Sequence, residues 1–376
     1  MKVAQQIFNP ARGWKTLGKR IPGDSAQLVL AFGGRHLLET GAPFEYLKVE
    51  YPRARIVLAS TAGEIAGTEI SEDHIVSTAI SFEKTRVECA AADVEDASQS
   101  FAAGRALAGQ LAGPDLVSIF VVSDGQRVNG TELARGLGES LAAGVILTGG
   151  LAGDGTRFEK TLVGLDEHAR PGRIAAIGFY GRDLQVKFGS AGGWAPFGPV
   201  RTVTRAEGNT LFELDGKSAL QLYKTYLGDK ASELPGSALR FPLKITPAGA
   251  ESGVVRTILS IDEKTGGMVF AGDIPNGALA RFMRASYEDL VDGAAHAAEE
   301  TLDSSPPSLV LCVSCVGRRI MLGQRIEEET EIVRDTLGPV PTLAGFYSYG
   351  ELSPSSGSSA CQLHNQTMTI TTMLER

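Results

Sequence analysis

Three times along the chain a short apolar strand runs out near a glycine and a basic residue. A helix-length stretch follows each time, and a second apolar strand then ends in glycine and an acid. The first copy runs from Leu28–Arg35 to Ile56–Glu64. The second opens with Leu116–Val122, passes through Gly125-Gln126-Arg127, and reaches Val145–Gly150 with Gly153-Asp154 just beyond. The third runs from Leu309–Arg318 to Leu343–Glu351. Glycine after a strand lets the backbone turn and approach a ligand closely, and strand ends are where open α/β sheets place their sites. The repeat is therefore either a site or one packing solution used three times.

At 376 residues the chain is long for one compact domain, and two domains are expected. Its 43% hydrophobic and 21% charged residues suit a soluble globular protein with a sizeable core. The net charge of −8 argues against nucleic acid or an anionic membrane as the main partner. No apolar run is long enough to span a bilayer, no secretory signal is visible behind Lys2, Arg12, Lys15, Lys19 and Arg20, and four irregularly spaced cysteines fit a reducing cytoplasm.

Alternation of strands and helices from about 26 to 190 predicts an α/β fold with mixed β-sheets flanked by helices, in two domains. Residues 1–24 read as an irregular or partly helical lead-in, 25–195 as an N-terminal domain and 196–376 as a C-terminal domain. The Gly/Pro-rich stretch 192–199 marks the crossing between halves. Past it the pattern predicts a strand into the Asp215-Gly216 turn, a helix carrying Leu220, Tyr223 and Leu227, a hairpin around Lys264-Thr265-Gly266, and a helix over roughly 286–303.

Ser60-Thr61-Ala62-Gly63-Glu64-Ile65, Gly149–Asp154, Leu214-Asp215-Gly216, Ser314–Arg318, Gly345–Glu351 and His364-Asn365-Gln366-Thr367, taken in order, resemble the FIST sensory family over about residues 25–370. The resemblance implies a signal-input module that binds a small ligand and has no catalysis of its own. Relatives are often fused to an output domain; this chain leaves no room for one, so its output is expected to pass through a separate signalling protein such as a histidine kinase. Stand-alone members of similar build include haem-binding nitric oxide sensors, which makes haem with nitric oxide the leading ligand expectation. An amino acid or similar metabolite, bound without haem, is the alternative.

Glu64, Asp154 and Glu351 follow glycines near strand ends, where they can accept hydrogen bonds from a ligand, pair with Arg35, Arg127 or Arg318, or simply tie loops together. Tyr347 and Tyr349 share one face if that segment stays extended, as ligand wall or sheet packing. The expected ligand-binding set is Arg318, Cys315, Tyr347, Tyr349, Gly350, Glu351, His364 and Asn365, with Glu64 and Asp154 from the N-terminal half. A haem iron needs an axial His, Cys, Tyr or Met, and His364 and His36 are the candidate ligands. Cys312 and Cys315 form a CxxC along an apolar strand, not at a helix N-terminus, which disfavours redox use. No GxGxxG, GxSxG, HExxH or GxxxxGK motif appears. A hydrolase or transferase using Cys315, His364 and Glu351 is the alternative from a different class.

Overall fold

The computed structural model describes residues 1–234, 236–251, 253–355 and 360–376. Each repeat is part of a five-strand unit. The first unit has an opening strand Lys2–Asn9, a lead strand Leu28–Gly33, a parallel strand Arg55–Ser60, an exchanged strand Glu64–Ala66 and a return strand Ile75–Ser81. In the second unit the same roles fall to Arg86–Asp93, Leu116–Ser123, Ile146–Leu151, Val163–Leu165 and Arg173–Tyr180. In the third they fall to Leu184–Ala191, Leu309–Cys315, Thr342–Ser348, Gly350–Pro354 and Met368–Glu375.

Within every unit the lead and parallel strands run parallel, and the return strand lies antiparallel between the lead and opening strands. The exchanged strand leaves its own unit. Glu64–Ala66 pairs with the third unit's parallel strand, Val163–Leu165 with the first's and Gly350–Pro354 with the second's. Three mixed six-stranded sheets are thereby locked in a cycle, the first holding one strand from a neighbour and the other two holding two each, Gly350–Pro354 with Cys361–His364 and Glu64–Ala66 with Glu69–Ser71.

The lead strands Leu28–Gly33 and Leu309–Cys315 are buried along their whole length, as parallel strands covered on both faces must be, which is why they read as unbroken apolar runs. Burying each such Val, Leu or Phe contributes about 1.5–3 kcal/mol. Helices cover the outer faces. Ser100–Leu111 and Gly130–Ser140 approach closely because a Cβ on Gly104 would sit 2.6 Å from the Leu133 carbonyl, and one on Gly136 2.2 Å from that of Phe101. The helix Tyr287–Glu299 starts in a capping box: Asp289 N donates to Ser286 Oγ, and Ser286 N donates to Asp289 Oδ2.

Between the third unit's opening strand and that helix, residues 195–284 form a separate antiparallel sheet around Leu211, Tyr223, Phe270 and Phe282. Its edge strands are Val254–Arg256 and Ile258–Asp262, separated in sequence by Thr257 alone. Two edges joined by one residue can exist only if the sheet curls until they meet, so this body is barrel-like with Thr257 at its seam.

The α/β architecture with mixed sheets agrees with the sequence pattern, as do the hairpin around Lys264 and the helix Ala219–Leu227. Three expectations are corrected. Residues 1–24 are not an irregular or partly helical lead-in: Lys2–Asn9 and Gly13–Leu17 form a hairpin whose first strand pairs with the return strand Ile75–Ser81. The chain from 309 onward does not stand apart from the N-terminal half, because its strands enter sheets built with residues 64–66, 146–151 and 184–191. Tyr347 and Tyr349 do not share a face, because the chain crosses from one sheet to another between Ser348 and Gly350.

Candidate functional site

Where the three parallel strands end, their backbones bond to one another in a closed ring. Ala62 N donates to Tyr347 O and Tyr347 N to Gly63 O, each at 2.8 Å. Tyr349 N donates to Leu151 O at 3.1 Å, and Gly153 N to Ser60 O at 2.9 Å. This centre holds most of the acids singled out by the repeat. Glu64 accepts from Thr61 Oγ1 (2.7 Å), Ser71 Oγ (3.2 Å) and His74 N (3.3 Å). Glu351 accepts from Ser348 Oγ (2.6 Å), Thr367 Oγ1 (2.8 Å) and Thr367 N (3.2 Å). Each acid thus takes a hydroxyl three residues back and the backbone N–H leading toward its unit's return strand. Burial pushes both carboxyls up to about 8, against the opposing pull of those hydrogen bonds.

Asp154 accepts from the Tyr349 phenol and from the backbone N–H of Phe158 (2.9 Å), Glu159 (3.1 Å) and Lys160 (3.0 Å), while Arg35 approaches to 3.4 Å. That clamp holds Phe158 at φ +55°, a conformation rare for an aromatic residue, and stacks its ring on Tyr349 at 4.5 Å. Arg318 is fully buried. Its Nε and Nη2 reach Glu329 Oε2 at 3.0 and 2.9 Å, and it also donates to the Gly192 and Leu290 carbonyls. Tyr347, buried as deeply, donates its phenol to Glu329. Glu64, Asp154, Tyr347, Arg318 and Glu351 are therefore engaged by the protein itself.

Beside this centre, between the barrel seam and the ends of the second and third lead strands, lies a cavity of about 690 Å³. Of the sequence-selected residues, Cys315, Tyr349 and Asn365 line it; the first unit contributes none, and Gly350 and His364 lie off the wall. Phe158, Phe270, Leu151, Val316 and Ile258 make the wall largely apolar, and among the described residues that line it Asp273 is the one acid and none is Lys, Arg or His. Asn129 serves twice. Its Oδ1 caps the helix Gly130–Ser140 by accepting from Thr131 N (3.0 Å) and Glu132 N (3.2 Å), and its Nδ2 donates to Asp273 Oδ1 at 3.2 Å. Asn365 is 1% exposed, yet among the described residues neither amide atom has a hydrogen-bond partner, and Thr257 Oγ1 also lacks one. Leaving such groups unpaired costs roughly 1–3 kcal/mol each, so this stretch of wall is built at the expense of stability.

Sequence reasoning missed Asn129, Phe158, Thr257, Asp273 and Glu329. Glu329 carried a legible signal: it stands four and eight residues before Val333 and Leu337 on the buried stripe of its helix. Thr257 and Asp273 carried none, because only curling of the barrel brings them to the strand ends.

The lining offers haem no ready axial ligand. No histidine or methionine lines the cavity among the described residues. Cys315 lines it, but burial pushes its thiol well up, away from the thiolate. The Tyr349 phenol is committed to Asp154. His364 is buried with Nε2 2.9 Å from the Ser353 carbonyl, and burial pulls its ring down to about 4, keeping it neutral. His36 stands more than half exposed beside Asp73 on a surface helix. No cluster of three His, Cys, Asp or Glu suited to a metal occurs among the described residues. Nor do Cys315, His364 and Glu351 assemble as nucleophile and base: the His364 ring bonds to Ser353, and Glu351 to Ser348 and Thr367.

Three strand-sharing α/β units with a barrel inserted in the third define a mixed α/β class. The FIST N domain matches residues 27–217 and the FIST C domain residues 219–354, and the chain belongs to the FIST family, whose domains are sensory modules of signal transduction. An uncharacterized protein of Mycobacterium tuberculosis (strain CDC 1551 / Oshkosh) is 29% identical over 189 residues, 47% of this chain and 48% of its own length. The chain thus spans about half the length of that relative. An uncharacterized protein of Methanocaldococcus jannaschii is 24% identical over 360 residues, covering 88% of this chain and 68% of its own. Among solved structures, cyanuric acid hydrolase from A. caulinodans aligns over 95% of this chain and 92% of its own at a TM-score of 0.36 and 8% identity, a likeness too slight to carry function. Among the described residues no helix is long and apolar enough to cross a membrane.

Proposed function

We propose that this chain is the ligand-receiving part of a signalling system, binding a small organic molecule in the 690 Å³ cavity and reporting to a separate protein such as a histidine kinase. The observation that carries the reading is Asn365, whose buried amide offers an NH2 donor group and a carbonyl acceptor that have no partner among the described residues. A ligand amide matches that pair, and Thr257 adds a hydroxyl. The wall selects further: Asp273 without a basic residue disfavours anions, and Phe158, Tyr349 and Phe270 suit a flat or aliphatic body. The ligand is therefore neutral or cationic, with an apolar body and an amide-like head.

Signal output follows from where the cavity sits. One wall is the α/β body, through Gly125, Gln126, Val128–Gly130 and Cys315–Gly317; the other is the barrel, through Thr257–Ser260 and Val269–Asp273. A ligand touching both walls stabilises one placement of the barrel on the body, and a partner that reads that placement reads occupancy.

Thermal-shift screening of neutral amides and amines, together with a visible spectrum of protein from haem-supplemented cells, tests this reading. Saturable stabilisation by an amide that is lost in Asn365→Leu supports it. A stoichiometric Soret band that shifts with nitric oxide overturns it in favour of haem.

A further inference from the structure

A second cavity, of about 650 Å³, lies on the other side of the barrel seam, between the helix Gly130–Ser140, the strand Leu243–Thr246 and the segment Cys361–Leu363. Arg256 is on its wall and only 4% exposed. The guanidinium makes a single hydrogen bond among the described residues, from Nη1 to the Leu363 carbonyl at 2.8 Å, and Nε has no partner. Among the described residues no carboxylate lies within 4 Å of it, whereas the other deeply buried arginine, Arg318, is paired with Glu329. An arginine stays protonated even when buried, and the acid whose charge acts on it, Asp273, stays beyond ion-pair distance, so Arg256 is a buried cation only partly compensated, an arrangement that costs stability unless an anion joins it.

The surroundings fix what kind of anion. Arg135, also on the wall, is already engaged by Glu132 and Glu139. Asp273 stands on the wall with its Oδ1 accepting from Asn129. With Asp273 and Glu139 both present, a second negative charge on the ligand would be repelled. Leu141, Val145, Leu147, Ile245 and Val254 supply an apolar lining, and Thr131 Oγ1, buried without a partner, is a further unused donor. The guanidinium itself is held in place: a Cβ on Gly272 would lie 2.7 Å from its Nε, so the backbone packs directly against it.

We propose that this second cavity binds a small organic monoanion, a carboxylate carrying an apolar body, with the carboxylate on Arg256. The planar fork of the guanidinium matches a carboxylate in two parallel hydrogen bonds. This site shares Asp273 with the amide-reading cavity but no other lining residue, and its carboxylate-binding group, Arg256, lines only this one.

The test uses the full chain in thermal-shift titrations at fixed ionic strength in chloride, with octanoate, benzoate and inorganic phosphate as probes. Octanoate or benzoate is expected to raise Tm saturably while phosphate does not. Arg256→Met is expected to keep or raise the Tm of the anion-free protein and to abolish the carboxylate shift, because it removes an unpaired buried charge. A purely structural Arg256 predicts the reverse, a lowered Tm without anion. Absence of any carboxylate shift in the native chain, a shift from phosphate alone, or a shift that survives Arg256→Met overturns the proposal. Should the variant not fold, crystals of the native protein soaked with 4-bromobenzoate decide. A bromine anomalous peak in this cavity with the carboxylate on Arg256 supports it, and density elsewhere or none overturns it.

Discussion

Arg318 and Glu329 face each other with both side chains fully shut off from solvent, Nη2 2.9 Å from Oε2. Their pairing ties the start of one helix to that of the next, and through the Gly192 and Leu290 carbonyls it anchors the entrance to the barrel. Breaking such a pair leaves a buried charge uncompensated, which costs about 3–5 kcal/mol. Arg318→Ala is expected to lose that much in urea unfolding, and the double variant Arg318→Met with Glu329→Leu considerably less. Equal losses in the two would show that the ion pair is not the source.

Glu351 gives a pH dependence whose sign is fixed by its burial. Its folded value, about 8, lies above the ordinary 4.5, so the folded state holds a proton that the unfolded state has released throughout that window. The associated stability is fully present below pH 4.5 and is lost as pH rises through 8, with a slope of at most about 1.4 kcal/mol per pH unit. Glu351→Gln, which keeps a neutral hydrogen-bonding head, should make stability between pH 5 and 8 less steep by about that amount. Urea titrations at four pH values check it, and an unchanged slope would mean that Glu351 is ionised in the fold. Glu64→Gln is expected to behave in the same way.

At Asn365, loss of ligand and gain of stability should go together. Its amide has no partner among the described residues, so Asn365→Leu is expected to leave the free protein as stable as before or up to about 1 kcal/mol more so, while weakening ligand at least tenfold. Calorimetric titration and thermal unfolding of one preparation measure both. A variant that unfolds early would reassign Asn365 to the scaffold.

Gly345 and Gly149 sit within the parallel strands of the third and second units at φ +158° and +148°. A Cβ would meet the Cys312 carbonyl at 1.8 Å in the first case and the Val121 carbonyl at 1.9 Å in the second. Neither strand can shift, since each is bonded on both sides. Gly345→Ala and Gly149→Ala are expected to cost more than about 3 kcal/mol each, read as a large drop in the urea midpoint or loss of soluble protein.

The amino-acid sequence by itself determined the three repeats, the α/β class and the residue types at the strand ends, because parallel strands buried on both faces must be continuous apolar runs and tight crossings must carry glycine. It also held Cys315, Tyr349 and Asn365, which do line the cavity. Tertiary structure alone decided the rest. That Glu64–Ala66, Val163–Leu165 and Gly350–Pro354 would each join a neighbouring sheet is invisible locally, since a three- to five-residue strand reads the same whichever edge it pairs with. The exchange turns the acids of the repeat into a buried, self-satisfied centre and leaves the cavity to one side. Thr257, Arg256 and Asp273 reach their cavities only because a sheet with one residue between its edge strands has to close on itself, and that closure depends on pairings spread over residues 195–284.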